Sequence, residues 1–369
     1  MNLHVCHFTV AHEVTDGRIF KKECKSLRKA GYKVSIVVPN VKDCEIDGIY
    51  VYGVKLDKSP LKRLLIGAGK IYKRALELNA DIYHFHDVEL FYYGLKLKCK
   101  GKKVIFDSHE NWLGYIQNIK WIPSLGRKTM TSLLRFLYKR DLKKFDAVIT
   151  VSPDIVESLQ CYTSKVHLVT NYPKINVDLL PKLSFENYSQ RVDQVCYAGT
   201  IYPSSNQETI IQSLDLLKDV RYLLIGRLDS KDYSTLKGWD KVQLVDFVPF
   251  EELAEYYQSS CAGLCVFDDI PNIGGRKGSL GVNKIFEYMM FGLPVILSDQ
   301  EMWRDLVEKY RCGLCVKAGN IEDVASKIKY VIQNKEEAFE MGKRGQAAVI
   351  SEFNWDTQEK TLLEIYKNL

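Results

Sequence analysis

The chain has 369 residues, 46% hydrophobic and 27% charged, which is globular composition and length for about two domains. No run of eighteen apolar residues occurs, which excludes a membrane-spanning helix, and the opening MNLHVCHFTV has neither a basic leader nor a small-residue cleavage site, so a cytoplasmic chain is expected. The net charge of +6 hides an asymmetry: residues 1–170 hold 29 Lys and Arg against 17 Asp and Glu (net +12) and the remainder 23 against 29 (net −6), so the basic half suits an anionic surface such as lipid, nucleic acid or a phosphorylated acceptor.

Short β-rich runs alternate with segments of helical period along the whole chain. They are HVCHFTV, YKVSIVV, IYVYGV, DIYHFH, KKVIFDSH and DAVITVS, then QVCYAGT, RYLLIG, KVQLVDFV, AGLCVF, LPVILSD and CGLCVK. The alternation predicts an α/β fold of two doubly wound parallel sheets with helices on both faces. The turn NYPK at 171–174 is the expected joint, and WDTQEKTLLEIYKNL forms a last helix with no strand after it. Ligands of such sheets bind beyond the carboxyl ends of the strands, so polar residues just after strands are the functional candidates.

The first strand runs into His12, Asp16, Gly17 and Arg18. Gly17 could let backbone approach a phosphate and Arg18 could supply a guanidinium fork; alternatively Asp16 is a plain helix N-cap and Arg18 is solvated. Two later segments, SPLKRLLIGAGKIYKRALEL and GRKTMTSLLRFLYKRDLKK, place apolar residues at helical spacing with Lys and Arg between them. That pattern fits a helix lying on anionic lipid or an ordinary helix packing on a core. The fourth strand ends in His84, His86 and Asp87, with the two His alternating onto one face, and the fifth ends in Asp107, His109 and Glu110. Two strand-end His–acid pairs on neighbouring strands point to polar chemistry, His109 first and His86 second.

In the second half, strands end in Gly199-Thr200 and Gly226-Arg227, where glycine brings backbone amides near a ligand or makes a tight turn. FDDIPNIGGRKGSLGVNKIFEYM then runs from Gly274, Gly275, Gly278 and Gly281 into a helix start, with Arg276, Lys277 and Lys284 as nearby cations. Open amides, a positive dipole end and cations cradle phosphate; the alternative is a mobile surface loop. Lys284 and Glu287 lie three apart and share a face, which suits neutralisation of a nucleotide diphosphate by Lys284 and acceptance of ribose hydroxyls by Glu287. Cys261, Cys265, Cys312 and Cys315 could be written as a four-thiolate zinc site, but their alternation on apolar strands favours reduced core thiols. Asp268 and Asp269 are adjacent and make no Asp-x-Asp triplet.

On these residues the chain resembles the retaining glycosyltransferases of family 4, over essentially its full length. The most specific piece is NKIFEYMMFGLPVI, similar to the family's sugar-nucleotide signature; DGRIFKKECKSLRKAGYKV, HFHDVEL, GKKVIFDSHE, YAGTI, LLIG and the terminal FNWDTQ support it by their order. The resemblance implies a GT-B fold, two Rossmann-like domains facing across a cleft. The expected domains are 1–172 on the acceptor side and 173–351 for the nucleotide sugar, with 352–369 as a helix packing back on the first.

It further implies transfer of a sugar from a UDP- or GDP-sugar to a lipid-linked or oligosaccharide acceptor in surface polysaccharide synthesis. His109 matches the family's strand-end histidine near the reacting sugar, and Glu287 the acidic residue that holds the donor ribose. The companion acidic position, eight earlier, falls on Ser279. The Arg and Lys that face the diphosphate in many members are missing from IYPSSNQE, which leaves Arg227 and Lys284 to supply the charge. Gly199, Thr200, Gly226, Ser279, Gly281, Val282 and Asn283 complete the expected donor side; Asp16, Gly17, Arg18, His86, Asp87 and Glu110 form the acceptor or phosphate side. No cofactor and no divalent metal are expected, nor nucleic acid; peripheral contact with the inner face of the membrane is. Two other classes are a GT-B sugar-nucleotide epimerase and a non-catalytic nucleotide-sugar-binding or scaffold subunit.

Overall fold

Fourteen short strands build two sheets in a computed structural model that describes residues 3–369 apart from 58–65, 119–121, 177, 179, 229–231 and 271–272. The start of the first basic amphipathic segment, up to Leu65, lies outside the described residues. The chain divides into Met1–Asn171 with Trp355–Leu369, and Tyr172–Asn354; the divisions expected from sequence fall one and three residues away.

The first unit holds β1 (His4–Phe8), β2 (Lys33–Pro39), β3 (Cys44–Ile46), β4 (Ile49–Val54), β5 (Ile82–Phe85), β6 (Lys103–Ser108), β7 (Ala147–Thr150) and β8 (Val166–Leu168), in the sheet order β3-β4-β2-β1-β5-β6-β7-β8. Seven strands are parallel, and the apolar runs of the central ones β1, β2, β5, β6 and β7 are buried on both faces, as helix-covered parallel strands must be. The sheet is not wholly parallel as expected, because β3 pairs antiparallel with β4. The cause is local: Asp47 and Gly48 both have positive φ, 54° and 73°, giving a two-residue turn that a DG pair favours.

The last helix, Trp355–Lys367, lies on one face of this sheet. Trp355, Leu362, Ile365 and Tyr366 join the core made by Val5, Ile36, Ile105 and Ile149. Trp355 donates from its indole to Ser26 Oγ at 2.9 Å, so this bulky ring is buried with its polar edge satisfied.

The second unit holds β9 (Gln194–Ala198), β10 (Arg221–Ile225), β11 (Val242–Val245), β12 (Ala262–Cys265), β13 (Val295–Ser298) and β14 (Gly313–Val316), all parallel, in the order β11-β10-β9-β12-β13-β14. Helix Asn283–Met290 packs Ile285, Phe286, Tyr288, Met289 and Met290 inward. Gly263 on β12 makes room for it, since a Cβ there would lie 2.3 Å from the Tyr288 ring. Cys261, Cys265 and Cys312 are buried free thiols and Cys315 is partly buried. Among the described residues these cysteines form no metal-ligating group.

In both sheets the chain winds outward from a central strand and then returns to wind the other way. The reversal falls between β1 and β5 in one sheet and between β9 and β12 in the other. The crevice beyond the carboxyl ends at such a point is where doubly wound sheets bind ligands.

Candidate functional site

In the first unit the reversal point is packed with ionisable groups, centred on Asp107 at the end of β6. Its carboxylate accepts from Arg18 Nε and Nη2 at 3.2 and 3.0 Å, and its Oδ2 lies 3.1 Å from His109 Nε2 and 3.6 Å from His86 Nδ1. Asp107 is fully buried. Burial works against its charge, yet the Arg18 guanidinium and His109 hold the carboxyl well below the usual carboxylate range. Arg18, His86, Asp107 and His109, expected separately, are thus brought together. His109 is the member that reaches the surface, its side chain 14% exposed.

Arg18 corrects the expectation of a free phosphate fork. It is 4% exposed, pairs with Glu23 Oε1 at 3.0 Å as well as with Asp107, and donates Nη1 to the Val169 carbonyl at 2.7 Å. A guanidinium buried against two carboxylates is part of the frame. Asp16 behaves as a cap: its Oδ1 accepts from the Arg18 and Ile19 amides at 2.8 Å each. Burial opposes its ionisation, but the hydrogen bonds from His12 and these amides outweigh it and hold the carboxyl well below the usual range.

Asp87 is likewise internal, accepting from Thr9 Oγ1 and the Val10 amide at 2.6 Å each. Gly17 has no positive φ, and nothing lies within 4 Å of where its Cβ would be, so its backbone does not require glycine. Glu110 is exposed, and the contacts that draw His86, Asp107 and His109 together do not include its side chain.

In the second unit the reversal point is built from Gly199, Phe267 and Lys284. Lys284 reaches back across the sheet end to donate to Tyr197 Oη at 2.6 Å; its ammonium lies 3.9 Å above that ring and 5.1 Å from the Phe267 ring centre. Burial pulls the ammonium below the usual lysine range. Tyr197 passes the contact on, donating to the Thr200 carbonyl at 2.8 Å. Gly199 (φ 132°) and Gly226 (φ 136°) adopt a backbone that favours glycine, and they lie against each other. Glu287, a turn further along the helix, accepts from Tyr257 Oη at 3.3 Å.

The glycine loop closes on itself before the helix. Ser279 is buried; its hydroxyl accepts from the Gly281 amide at 3.1 Å and its carbonyl from Trp303 Nε1 at 2.9 Å. Helix Asn283–Met290 starts after Val282, whose side chain caps none of its first amides; the Ile285 amide donates to the Val282 carbonyl at 3.3 Å. Arg227, just after Gly226, is exposed, with its guanidinium 5.5 Å from the Phe247 ring centre.

Sequence reasoning missed Tyr197 and Tyr257, the two phenols that orient Lys284 and Glu287. Neither is near its partner in the chain: the sheet end brings Tyr197 on β9 to Lys284, and the packing of helix Leu253–Ser259 beside helix Asn283–Met290 brings Tyr257 to Glu287. It also missed His7 and Glu23, fully buried beside His84 and His86. The alternation of His4 and Cys6 against His7 in the first strand was the available signal, since His7 pairs in register with His84. A groove of about 480 Å³ along helix Ser124–Asp141 was missed as well, lined by Arg127, Lys128 and Arg135 with Ser124, Thr131 and Ser132.

Residues 184–348 match the family described as Glycosyl transferases group 1, and residues 17–172 match Glycosyltransferase Family 4. No curated protein matches significantly. Among solved structures the chain is similar to sucrose-phosphate synthase from Thermosynechococcus elongatus (17% identity, TM-score 0.76, covering 99% of this chain and 98% of that one). It is similar also to a glycosyltransferase from Rickettsia africae (17%, 0.71, 100% and 98%) and to HepE of Anabaena in complex with UDP and glucose (14%, 0.73, 100% of both). At these identities the likeness is one of fold.

Proposed function

This chain is a glycosyltransferase of the family 4 type with the GT-B fold, and from that premise we propose that it moves a sugar, with retention of configuration, from a UDP- or GDP-sugar to a lipid-linked or oligosaccharide acceptor in surface polysaccharide synthesis. The observation that carries the donor side is Lys284: a half-buried lysine whose ammonium is fixed by a phenol and two aromatic faces at the sheet's reversal point. Its neighbours are the strand-end glycines 199 and 226 and an uncapped helix start. A diphosphate seated there gains a cation and open amides in one place. Glu287, on the same helix, takes the ribose hydroxyls. UDP is the first candidate nucleotide, because HepE was solved with UDP and with UDP-glucose.

Catalysis then rests on positioning and on stabilising the departing nucleotide. His109, the surface member of the Asp107 cluster, is oriented by that carboxylate toward the reacting sugar. Neither Mg²⁺ nor Mn²⁺ is needed for transfer, since Lys284 and the amides carry the diphosphate charge.

The acceptor side has its own support. Helix Ser124–Asp141 buries a stripe of Thr131, Leu134, Tyr138 and Asp141, while Leu125, Leu133 and Phe136 are 78%, 57% and 56% exposed. Their spacing puts these three on one face opposite the buried stripe, flanked by Lys128, Arg135, Lys139 and Arg140. An apolar stripe bordered by cations is the form of a helix that lies on an anionic membrane surface. No helix among the described residues is long and apolar enough to cross one.

The test is thermal stabilisation by UDP, GDP, ADP and their sugar conjugates, with Glu287→Ala in parallel, followed by nucleotide release with and without acceptor. A shift with one nucleotide that is lost in the variant is expected, because stability rises with occupancy. Release without any acceptor together with an altered sugar would replace this proposal with an epimerase. Binding without release would replace it with a nucleotide-sugar-binding subunit, a reading to which Ser279 lends weight by spending its hydroxyl on the Gly281 amide.

A further inference from the structure

Beneath the Asp107 cluster lies a second group that sugar transfer does not use. His7 on β1, His84 on β5, His86 just beyond it and Glu23 in the first helical segment are all fully buried or within 1% of it. One ligand atom from each lies within 4.8 Å of the others. Burying this many ionisable groups is costly unless each finds a partner, and here several do not. Glu23 Oε1 has only its ion pair with Arg18 Nε at 3.0 Å, while Glu23 Oε2 and His84 Nε2 have no hydrogen-bond partner, the latter standing 3.7 Å from Asp107 Oδ2. Two carboxylates, Glu23 and Asp107, share one guanidinium, Arg18.

We infer that His7, His84, His86 and Glu23 form a binding site for one divalent transition-metal ion of the zinc type, tying β1 and β5 to the first helix. Three imidazoles and one carboxylate are a donor set that borderline ions such as Zn²⁺ and Co²⁺ take in four-coordinate form. His7 Nδ1 and His86 Nε2 stand 3.0 Å apart, close to the about 3.3 Å that two ligands span around a tetrahedral ion with bonds of about 2.0–2.1 Å. Glu23 Oε2 is 4.0 Å from His7 Nδ1, so a small movement of a side chain suffices.

The outer contacts are those that orient metal ligands. His84 Nδ1 is held by Tyr366 Oη at 2.7 Å, His86 Nδ1 faces Asp107 and His109, and Glu23 Oε1 is paired with Arg18, which leaves Oε2 turned to His7. In the overlapping set of His86, Asp107 and His109, Arg18 Nε lies 3.2 Å from the ligating atoms of two members, Asp107 Oδ2 and His109 Nε2, whereas in the proposed set it meets only Glu23, through Oε1, and leaves Oε2 toward His7. The proposed ion is structural and plays no part in handling the diphosphate.

The full chain, stripped with chelator and dialysed, is titrated with Co²⁺ and then Zn²⁺. One equivalent of Co²⁺ is expected to give the visible absorption of a four-coordinate site with no thiolate charge-transfer band, to be displaced by Zn²⁺, and to raise the thermal midpoint. Glu23→Gln and His84→Gln, checked for folding by circular dichroism, are expected to weaken uptake by at least about tenfold; His167→Gln, on the edge strand β8, is expected to leave it unchanged. X-ray absorption of the Zn²⁺-loaded wild type needs no variant and is expected to show nitrogen and oxygen ligands only. Absence of the visible band at one equivalent, a sulfur shell, or undiminished uptake in both ligand variants overturns the inference.

Discussion

Gly226→Ala tests the geometry of the donor-side strand ends directly. A Cβ at Gly226 would lie 2.0 Å from the Gly199 carbonyl oxygen and 2.9 Å from its carbon, and both are backbone atoms. Relief to an ordinary contact of about 3.5 Å means parting the ends of β9 and β10 by more than an ångström. That movement strains the Gly199 amide bond to Ile225 O and the Gly226 amide bond to Val245 O, now 3.0 and 2.9 Å, at about 1 kcal/mol each. The φ of 136° adds about 1–3 kcal/mol for an L side chain. The sum, about 4 kcal/mol, corresponds to a fall of roughly 8–16 °C in the unfolding midpoint of a domain this size.

Gly275→Ala is the control, since its φ is 58° but nothing lies within 4 Å of the added methyl; it is expected to cost about 1 kcal/mol, a few degrees. Gly199→Ala separates function from stability. Its φ is 132°, but the nearest atom is Lys284 Nζ at 3.0 Å, the end of a flexible side chain, so the loss is expected to fall on nucleotide binding more than on the midpoint. Scanning fluorimetry of the three variants with and without UDP reads both effects. Equal midpoints for Gly226→Ala and Gly275→Ala would refute the reasoning, because the two share a positive φ and differ in the clash.

Lys284→Met is expected to lower turnover by about 10²–10³, the usual cost of removing one preorganised charge from a developing anion. Tyr197→Phe is expected to cost about tenfold by freeing Lys284 from its 2.6 Å anchor; steady-state nucleotide release checks both, and additive losses in the double variant would contradict a shared role. Burial holds His7, His84 and His86 below the usual imidazole range. The unfolded chain therefore binds more protons than the folded one below about pH 6.5, and the stability due to these rings is complete above that pH and lost as pH falls. Glu23, pushed upward by burial, offsets up to one of the three protons. Urea midpoints in chelator are then expected to fall as the pH is lowered from about 6.5 toward 5, and a flat profile contradicts it. On the membrane side, Leu133→Ser with Phe136→Ser is expected to reduce flotation with anionic liposomes by about tenfold or more without lowering the thermal midpoint, since both side chains are exposed.

The strands were legible because parallel strands buried on both faces are near-continuous apolar runs, and the twelve runs named from sequence each contain one. The two strands that were not, β3 and β8, are three residues long with little burial, although Asp47-Gly48 carried the hairpin signal for the first. Strand ends were legible as places and not as partnerships. Arg18 looks like a phosphate ligand in GRIF because its two carboxylate partners, Glu23 and Asp107, are identified by helix direction and sheet order, not by spacing. Lys284 looked like half of an i, i+3 pair with Glu287, whereas the folded chain gives each its own tyrosine, 87 and 30 residues away.

The contrast between Arg18 and Lys284 bears on which unit meets the phosphate. Both are cations at the reversal point of a doubly wound sheet, Arg18 buried and Lys284 half-buried. Arg18 sits against two carboxylates and a carbonyl, so an incoming anion would have to displace ion pairs already made in a low-dielectric interior. Lys284 instead spends its hydrogen bond on a neutral phenol and its charge on two aromatic faces, interactions of about 1–2 kcal/mol that a diphosphate exceeds. The strand-end glycines beside it keep side chains out of the approach. A cation at the same point of the same fold is therefore frame in one unit and, in the proposed function, the diphosphate's partner in the other. Exchanging one cation for the other states the difference experimentally: Arg18→Lys is expected to act on the midpoint, through loss of its fork to Asp107, and Lys284→Arg on nucleotide affinity, through crowding of Gly199.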